Sequence, residues 1–489
     1  MKEVTQPEAL AALLDREWGF TINGLFTLPL EGGTFDVENP STALVVAQAP
    51  NGREVDVSRA VEAAGAAAPR WGATTIFERA QLVNRIADAI SDRAEDFALI
   101  DAACGGGSLS EMRRDVATAI KNLRYFAGVA PQLTGQTIPA SSSLHFTERV
   151  PFGVVARIVA FNHPFLFSVA KSAAPLMAGN AVVIKPPETA PLSALLLGEL
   201  ASQIFPPGVF SVIVGNGPEV PRALVRHPLV TRIGFVGSEL TGRSIQKDAA
   251  ETGVKFVTLE LGGKNALIAY GDADIEAVAE AAVAGMNFAW AGQSCGSTSR
   301  LLIHESIADD VVSRVVEKVG KLRMGEATNE STQMGPVVSQ RQLDRILGDI
   351  EEARSDGAAI RVGGGRSPMM ARGYFVQPTV MEISRDMRIA SKEVFGPVLS
   401  VIRWTDEDEM LSIANSVDYG LTAAIYTHDI TAALNLARNL SVGYVWVNGV
   451  GRHFLGVPYG GFKASGIGRD EAFEELESYT QTRAVNIFL

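Results

Sequence analysis

Residues 154–185 read VVARIVAFNHPFLFSVAKSAAPLMAGNAVVIK. Two runs rich in β-branched residues, 154–160 and 181–184, enclose a stretch of Ala, Ser, Leu and Met at 168–177 that suits a helix. Apart from Arg157 the runs are apolar at successive positions, as strands are when both faces of their sheet are covered. The unit predicts strand–helix–strand in a parallel sheet, and the same alternation continues outward from it. Residues 209–214, 231–236 and 254–259 are strand-like, while 192–204, 219–226 and 238–251 suit helices. After Glu260 the pattern begins again, with strand-like 266–269, a helix from about Ile275, and strand-like 300–304, 398–404, 423–426 and 444–447. Two α/β halves meeting near residues 258–263 is the simplest parse. A ligand cleft is expected between them, at the carboxyl ends of the strands.

The chain has 489 residues, 47% hydrophobic and 20% charged, which is globular composition. That length suits about three domains, or two large ones with an appendage. Lys and Arg number 43 against 55 Asp and Glu, a net charge of −12, so phosphate backbones and anionic lipid should be repelled. This argues against nucleic-acid and membrane partners. The longest candidate span, 150–170, is broken by Arg157, Asn162, His163 and Pro164. The opening MKEVTQPEALAALLDREW carries acids where a signal peptide needs a basic start and a longer apolar core. Two cysteines, Cys104 and Cys295, make no disulfide framework. These features predict a cytoplasmic protein. Gly and Pro are spread along the chain, and neither a repeat nor a linker stands out. Two segments fit neither half. Residues 135–150 (GQTIPASSSLHFTERV) alternate like an extended hairpin, and 480–489 reads as a strand at a chain end, where an open edge is a liability. They could pair with another subunit or cover this chain's own sheet.

For chemistry, the six histidines show no i, i+4 pair and no cysteine cluster, so no metal site is expected. Residues 292–296, GQSCG, match the G-x-S-x-G of serine hydrolases, whose elbow must join a strand to a following helix. Here Ile275, Val278, Ala279, Ala282, Val283 and Met286 share a helical face before the motif, with Asp272 or Asp274 as cap, and RLLIH follows as a strand. The order is reversed. The loop suits a cysteine nucleophile instead, because small and polar neighbours leave the Cys295 sulfur accessible. A buried structural cysteine is the alternative, and Cys104 fits it better. Glu260 closes an apolar strand before a Gly-Gly turn. In a cleft, desolvation would make it a general base; on a wet face it would be ordinary. Gly215-Asn216-Gly217 lacks the third glycine of a dinucleotide fingerprint, with Val220 in its place. Residues 231–242 (TRIGFVGSELTG) are more promising, since a helix entered through Gly237 and Ser238 can bind pyrophosphate; a generic strand–helix join looks the same.

Seven motifs in order, FNHPF at 161–165, GNAVVIKPPETAP at 179–191, FVGS at 235–238, LELGGK at 259–264, GQSC at 292–295, KEVFGPV at 392–398 and PYGGFKASGIGRD at 458–470, resemble the aldehyde dehydrogenase superfamily in its hydrolytic, NAD(P)-dependent branch. The resemblance runs from about Ser58 to the C-terminus. It implies an α/β fold with two parallel-sheet, Rossmann-like domains and a small β oligomerisation flap. The NAD-binding domain would comprise residues 1–125 and 150–260, the catalytic domain 261–465, and the oligomerisation segment 126–149 and 466–489. A homodimer or homotetramer is implied.

The resemblance also implies roles. Cys295 would attack the aldehyde carbon, Asn162 and the Cys295 N–H would hold the oxyanion, and Glu260 would activate the hydrolytic water. Lys171 and Asp470 would relay its proton, although the family often has Glu where Asp470 stands. Lys185 and Glu188 would hold the adenosine ribose, and Glu393, beside Phe395, the nicotinamide ribose. Phe161, Gly237, Ser238 and Leu261 complete the cofactor set. The Glu188 carboxylate would lie where a 2′-phosphate goes, favouring NAD, with NADP possible. Glu260 separates the chain from CoA-acylating relatives, so the product should be a free acid. Two departures stand out: Phe161 and His163 flank the oxyanion Asn where Trp or Phe is usual, and Glu239 follows Ser238 where Thr is common. Positions resembling the substrate tunnel carry His163, Phe167, Trp290, Phe454 and Tyr459, suited to an apolar or aromatic aldehyde. Arg452 could grip a phenolate, or the carboxylate of a semialdehyde substrate, or could face solvent or a neighbouring subunit. A cysteine-dependent esterase and a non-catalytic relative are the rival classes.

Overall fold

A computed structural model of the chain describes residues 6–488; residues 1–5 and 489, the outer ends of two of the segments expected above, lie outside the described residues. Five parallel strands make the centre of the first sheet: β1 (Val154–Ile158), β2 (Ala181–Lys185), β3 (Phe210–Val212), β4 (Val230–Val236) and β5 (Phe256–Glu260). Their spatial order is β3-β2-β1-β4-β5. Every residue of β1, β2 and β3 is buried, which is why the sequence shows continuous apolar runs there. Helix Pro164–Met177 returns the chain from β1 to β2. Its first residue is a proline, whose missing N–H has no intrahelical partner at that position in any case. The direction of winding reverses between β1 and β4. Such a switch point opens a crevice beyond the carboxyl ends of the two strands.

The second sheet holds β6 (Ala266–Ala269), β7 (Arg300–His304), β8 (Thr379–Glu382), β9 (Val398–Trp404), β10 (Thr422–Tyr426) and β11 (Tyr444–Val447). They are parallel in the order β8-β9-β7-β6-β10-β11. Residues 261–265 alone join β5 to β6, so the outlet of one sheet feeds the inlet of the next. The α/β class and parallel-rich sheets expected from the alternation are those observed. Each sheet has its own apolar core, and the chain crosses back late: Tyr459 belongs to the second core, Leu476 and Tyr479 to the first. Residues 466–467 pair antiparallel with β5 at the edge of the first sheet.

The two odd segments pair with each other. Leu144–Pro151 and Thr480–Ile487 form an antiparallel two-stranded ribbon, with Leu144 opposite Ile487 and Pro151 opposite Thr480. The residues before 144 fold back on it, with the Ile138 N–H donating to the His145 carbonyl at 2.9 Å and the Thr147 N–H to Gln136 at 2.8 Å. No helix among the described residues is long and apolar enough to cross a membrane, and no His/Cys/Asp/Glu group there could hold a metal ion.

Candidate active site

The carboxyl edge of the first sheet gathers chemistry because four of its five parallel strands hand the chain directly to a candidate residue. β1 runs into Phe161 and Asn162, β2 ends on Lys185 with Glu188 just after it, β4 leads to Gly237 and Ser238, and β5 ends on Glu260. The Gly237 N–H donates to the Glu260 carbonyl at 3.0 Å, locking the neighbouring outlets together.

Cys295 comes from the second half. Helix Ile275–Gly285, capped by Asp274, which accepts from the Ala277 N–H at 2.7 Å, precedes it, and β7 follows. Asp272 caps nothing there; it accepts from Thr427 and from the His428 N–H. The GQSCG run therefore sits on a helix–loop–strand connection, and the strand-to-helix elbow is absent. The loop has one admissible path at Gly292, where φ is +69° and a Cβ would stand 2.2 Å from the Gly396 carbonyl oxygen. Asn265 holds it from below. Its Nδ2 donates to the carbonyls of Cys295 (2.7 Å) and Ser297 (3.0 Å), and its Oδ1 accepts from the Thr422 N–H (3.0 Å). Gly263, in the linker leaving β5, packs so close that a Cβ there would lie 2.9 Å from the Cys295 carbonyl oxygen. The loops of the two halves thus touch at the sulfur-bearing residue.

Cys295 is partly buried, with Sγ 3.9 Å from the Tyr459 hydroxyl. Burial, reinforced by the Glu260 carboxylate, pushes its thiol up to about 11. Burial also drives Glu260 well above the ordinary carboxylate range, with Asp470 adding to the effect and Lys171 opposing it. The Glu260 carboxylate therefore opposes the Cys295 thiolate, and burial favours the protonated form of each group. The Cys295 N–H and the side-chain amide of the buried Asn162 have no hydrogen-bond partner among the described residues. Two unclaimed donors are what an oxyanion needs. Cys104, in helix Ala94–Gly105, is fully buried with its thiol pushed far up by that burial, as its structural reading requires.

Behind Glu260, Lys171 Nζ lies 2.6 Å from Asp470 Oδ2, both nearly sealed from solvent. Burial opposes the lysine's charge, but Asp470 and Glu475 more than offset it and hold the ammonium. Burial would likewise raise Asp470, yet Lys171 and Arg157 pull it below its usual value. Glu475 was not anticipated. It is buried, pushed up to about 8 by burial and by Asp470, and only one of its carboxyl oxygens, accepting from the Glu471 N–H at 2.8 Å, has a partner.

On the cofactor side, Lys185 Nζ meets Glu188 Oε2 at 2.9 Å. Burial would raise the Glu188 carboxyl, but this contact keeps it below the usual range. Ser238 caps helix Glu239–Thr252, accepting from the Thr241 N–H at 3.3 Å, and Glu239 occupies the first turn. A Cβ on Gly237 would stand 2.4 Å from the Phe235 ring, so the backbone at this helix entrance must stay bare. Leu261 is buried beneath Gly242 of the same helix, and its N–H donates to the Ser465 carbonyl at 2.9 Å. From the other half, Glu393 Oε1 accepts from the Gly263 N–H at 2.9 Å, and burial raises this carboxyl. Phe395, at φ +47°, meets the Phe161 ring edge-on at 5.7 Å. A bare helix entrance, a lysine–carboxylate pair and a second buried carboxylate fit a pyrophosphate and two riboses.

The tunnel candidates separate into groups. His163 packs against Phe167 (5.2 Å between centroids) and Trp290 (5.3 Å), and Tyr459 stands beside the sulfur. Phe454 is 54% exposed. Arg452 is exposed as well, with its guanidinium in no hydrogen bond or ion pair among the described residues. Asn265 and Asp115 escaped the sequence reading along with Glu475. Asn265 follows the Gly-Gly turn directly, and its burial was the missing fact. Asp115 lies one helical turn after Glu111 on the face that also carries Met112, Ala119 and Leu123, all buried. A pair of acids on an apolar helix face was the available signal.

Comparisons with known proteins bear on the family and the fold. The family model described as "Aldehyde dehydrogenase family" matches residues 28–485. The aldehyde dehydrogenase tropH of Talaromyces stipitatus is 46% identical over 478 residues, covering 96% of this chain and 92% of that protein. An aldehyde dehydrogenase from Bacillus cereus, solved as its NAD+ complex, superposes with a TM-score of 0.95 at 36% identity over 99% of each chain. A betaine aldehyde dehydrogenase from Staphylococcus aureus, also with NAD+, gives 0.95 at 34% identity over 98% of this chain and 97% of that one.

Proposed function

The chain belongs to the aldehyde dehydrogenase family, an NAD-linked oxidoreductase, and from that premise we propose that it oxidises an aromatic or apolar aldehyde to the free acid through a cysteine thioester. The observation carrying this reading is that Cys295 and Glu260, from opposite sheets, share one crevice closely enough for the Glu260 carboxylate to help burial raise the Cys295 thiol.

Cys295 Sγ bonds the aldehyde carbon as its proton leaves for Glu260. The carbonyl oxygen becomes an alkoxide between the Asn162 amide and the Cys295 N–H, donors already in place and unpaired. A nicotinamide cofactor held by Lys185, Glu188 and Glu393 would supply the hydride acceptor for this carbon. A thioester to Cys295 remains. Glu260, having released its proton through Lys171 and Asp470, takes one from water as the water oxygen attacks the thioester carbon. The C–S bond breaks, the acid departs, and the sulfur is restored.

Glu188, held as an anion by Lys185, would repel a 2′-phosphate, which supports NAD over NADP. His163, Phe167, Trp290 and Tyr459 support an aromatic or apolar aldehyde. A carboxylate-bearing semialdehyde is the second reading, supported by the unpaired guanidinium of Arg452. The ribbon of Leu144–Pro151 and Thr480–Ile487, with Leu144, Ile487 and Phe488 exposed, supports a homodimer or homotetramer assembled through residues 126–149 and 466–489. The remaining segments divide into a cofactor domain, 1–125 and 150–260, and a catalytic domain, 261–465. We place the enzyme in the cytoplasm.

The test is a panel of aliphatic, aromatic and acid-bearing aldehydes, followed by nicotinamide reduction with NAD and with NADP. Benzaldehyde-type substrates should rank above succinate-type semialdehydes, and Cys295→Ala should abolish turnover with NAD binding retained. Ester hydrolysis without aldehyde oxidation would replace this reading by the esterase.

A further inference from the structure

His163 stands where the resemblance places Trp or Phe, and the structure supplies it with a partner. Its Nδ1 lies 2.7 Å from Asp115 Oδ2, a carboxylate on helix Leu109–Val129 that is 5% exposed and has no other hydrogen bond. Phe167 and Trp290 pack against the imidazole. Nε2 has no partner among the described residues, and the side chain keeps 14% exposure. The surroundings are acidic: Asp101 accepts from the Phe165 N–H, and Glu111 is ion-paired to Arg114 through one oxygen while the other is unpaired. Phe167 offers no polar atom, and the Trp290 indole N–H is buried without a partner. Beside the Trp290 indole N–H, which can only donate, Nε2 is therefore the one atom of this group able to accept.

A carboxylate oxygen accepts hydrogen bonds, so the Asp115 contact places a proton on Nδ1, and in the neutral tautomer this selects, Nε2 carries the lone pair. We propose that Asp115 is a positioning residue which fixes His163 as a hydrogen-bond acceptor in the aldehyde channel, making the enzyme selective for hydroxyl-bearing aromatic aldehydes. This deepens the functional reading above and rests on its placement of His163 in the channel. Selectivity arises because an analogue without the hydroxyl leaves a desolvated acceptor unpaired.

The experiment compares kcat/KM for 2-, 3- and 4-hydroxybenzaldehyde with the fluorobenzaldehydes of the same pattern, which match the hydroxyl in size and cannot donate. The parent should favour the hydroxyl compound of at least one pattern, and His163→Phe should reduce that hydroxy/fluoro ratio about five- to tenfold. Differences in ring electronics cancel between the two enzymes. Asp115→Asn keeps the volume but leaves the ring tautomer unfixed, so it should lower the same ratio through KM with kcat on benzaldehyde retained. His163→Gln, whose amide oxygen can accept, should restore part of the ratio and guards against a misfolded His163→Phe. An unchanged ratio in His163→Phe or in Asp115→Asn overturns the inference while benzaldehyde oxidation still upholds the functional reading. Failure of the parent to oxidise any of these compounds overturns both.

Discussion

Lys171 and Asp470, 299 positions apart in the chain, form a 2.6 Å ion pair that ties the first helix after β1 to the segment re-entering from the second half. The pair does two jobs. It joins two distant segments of the chain in a buried contact, and its field reaches Glu260, where Asp470 raises and Lys171 lowers the carboxyl.

Removing one partner leaves a buried, unpaired charge. Lys171→Met should destabilise the enzyme by about 3–5 kcal/mol, whereas Lys171→Met with Asp470→Leu should cost less than the single change. Thermal or urea denaturation of both variants checks this.

Glu475 gives a pH-dependent counterpart. Its folded value, about 8, lies above that of the unfolded carboxyl, so the folded state holds a proton the unfolded state releases. Folding stability therefore falls as pH rises from the unfolded value towards about 8, and Glu475→Gln removes the fall. The variant should gain stability relative to the parent between pH 5 and pH 8, an increase of order 1 kcal/mol or more. Urea midpoints at the two pH values read it out, and a constant difference would contradict it.

With its thiol pushed up to about 11, Cys295 should be alkylated slowly by iodoacetamide at pH 7 in the cofactor-free enzyme. The rate should climb roughly tenfold per pH unit towards that value, because only the thiolate reacts. Cys104 should stay unlabelled while the fold is intact. Peptide mapping by mass spectrometry distinguishes the two.

Glu260→Gln and Asn265→Ala should fail differently. The first leaves the attacking sulfur in place but removes the acceptor of its proton, so the burst of reduced nicotinamide should slow yet remain visible while steady turnover drops further, about a hundredfold. The second frees the loop carbonyls of Cys295 and Ser297, and both burst rate and turnover should fall by about two orders of magnitude. Stopped-flow traces with NAD and benzaldehyde separate them.

Glu188→Gln removes the carboxylate that Lys185 keeps ionised. The ratio of kcat/KM for NADP to that for NAD should rise about tenfold, the equivalent of roughly 1.4 kcal/mol. An unaltered ratio would mean that Glu188 does not face the 2′ position.

What the sequence determined by itself was local and periodic. Continuous apolar strands between helical stretches announced two parallel sheets, since burial on both faces leaves that mark whatever lies far away in the chain. The reversed helix–loop–strand order around Cys295 was legible for the same reason, as was the glycine at 237, which a helix entrance under a bound phosphate would demand. Only the tertiary structure could decide which distant groups share a space. The loop hairpin and the terminal strand each read as needing a partner, and nothing local said they would take each other. Asn265, Asp115 and Glu475 are polar residues whose meaning lies in burial, and burial is set by what packs over them. The ionisation of Cys295 and Glu260 likewise depends on a distance between two sheets, which neither strand's own sequence encodes.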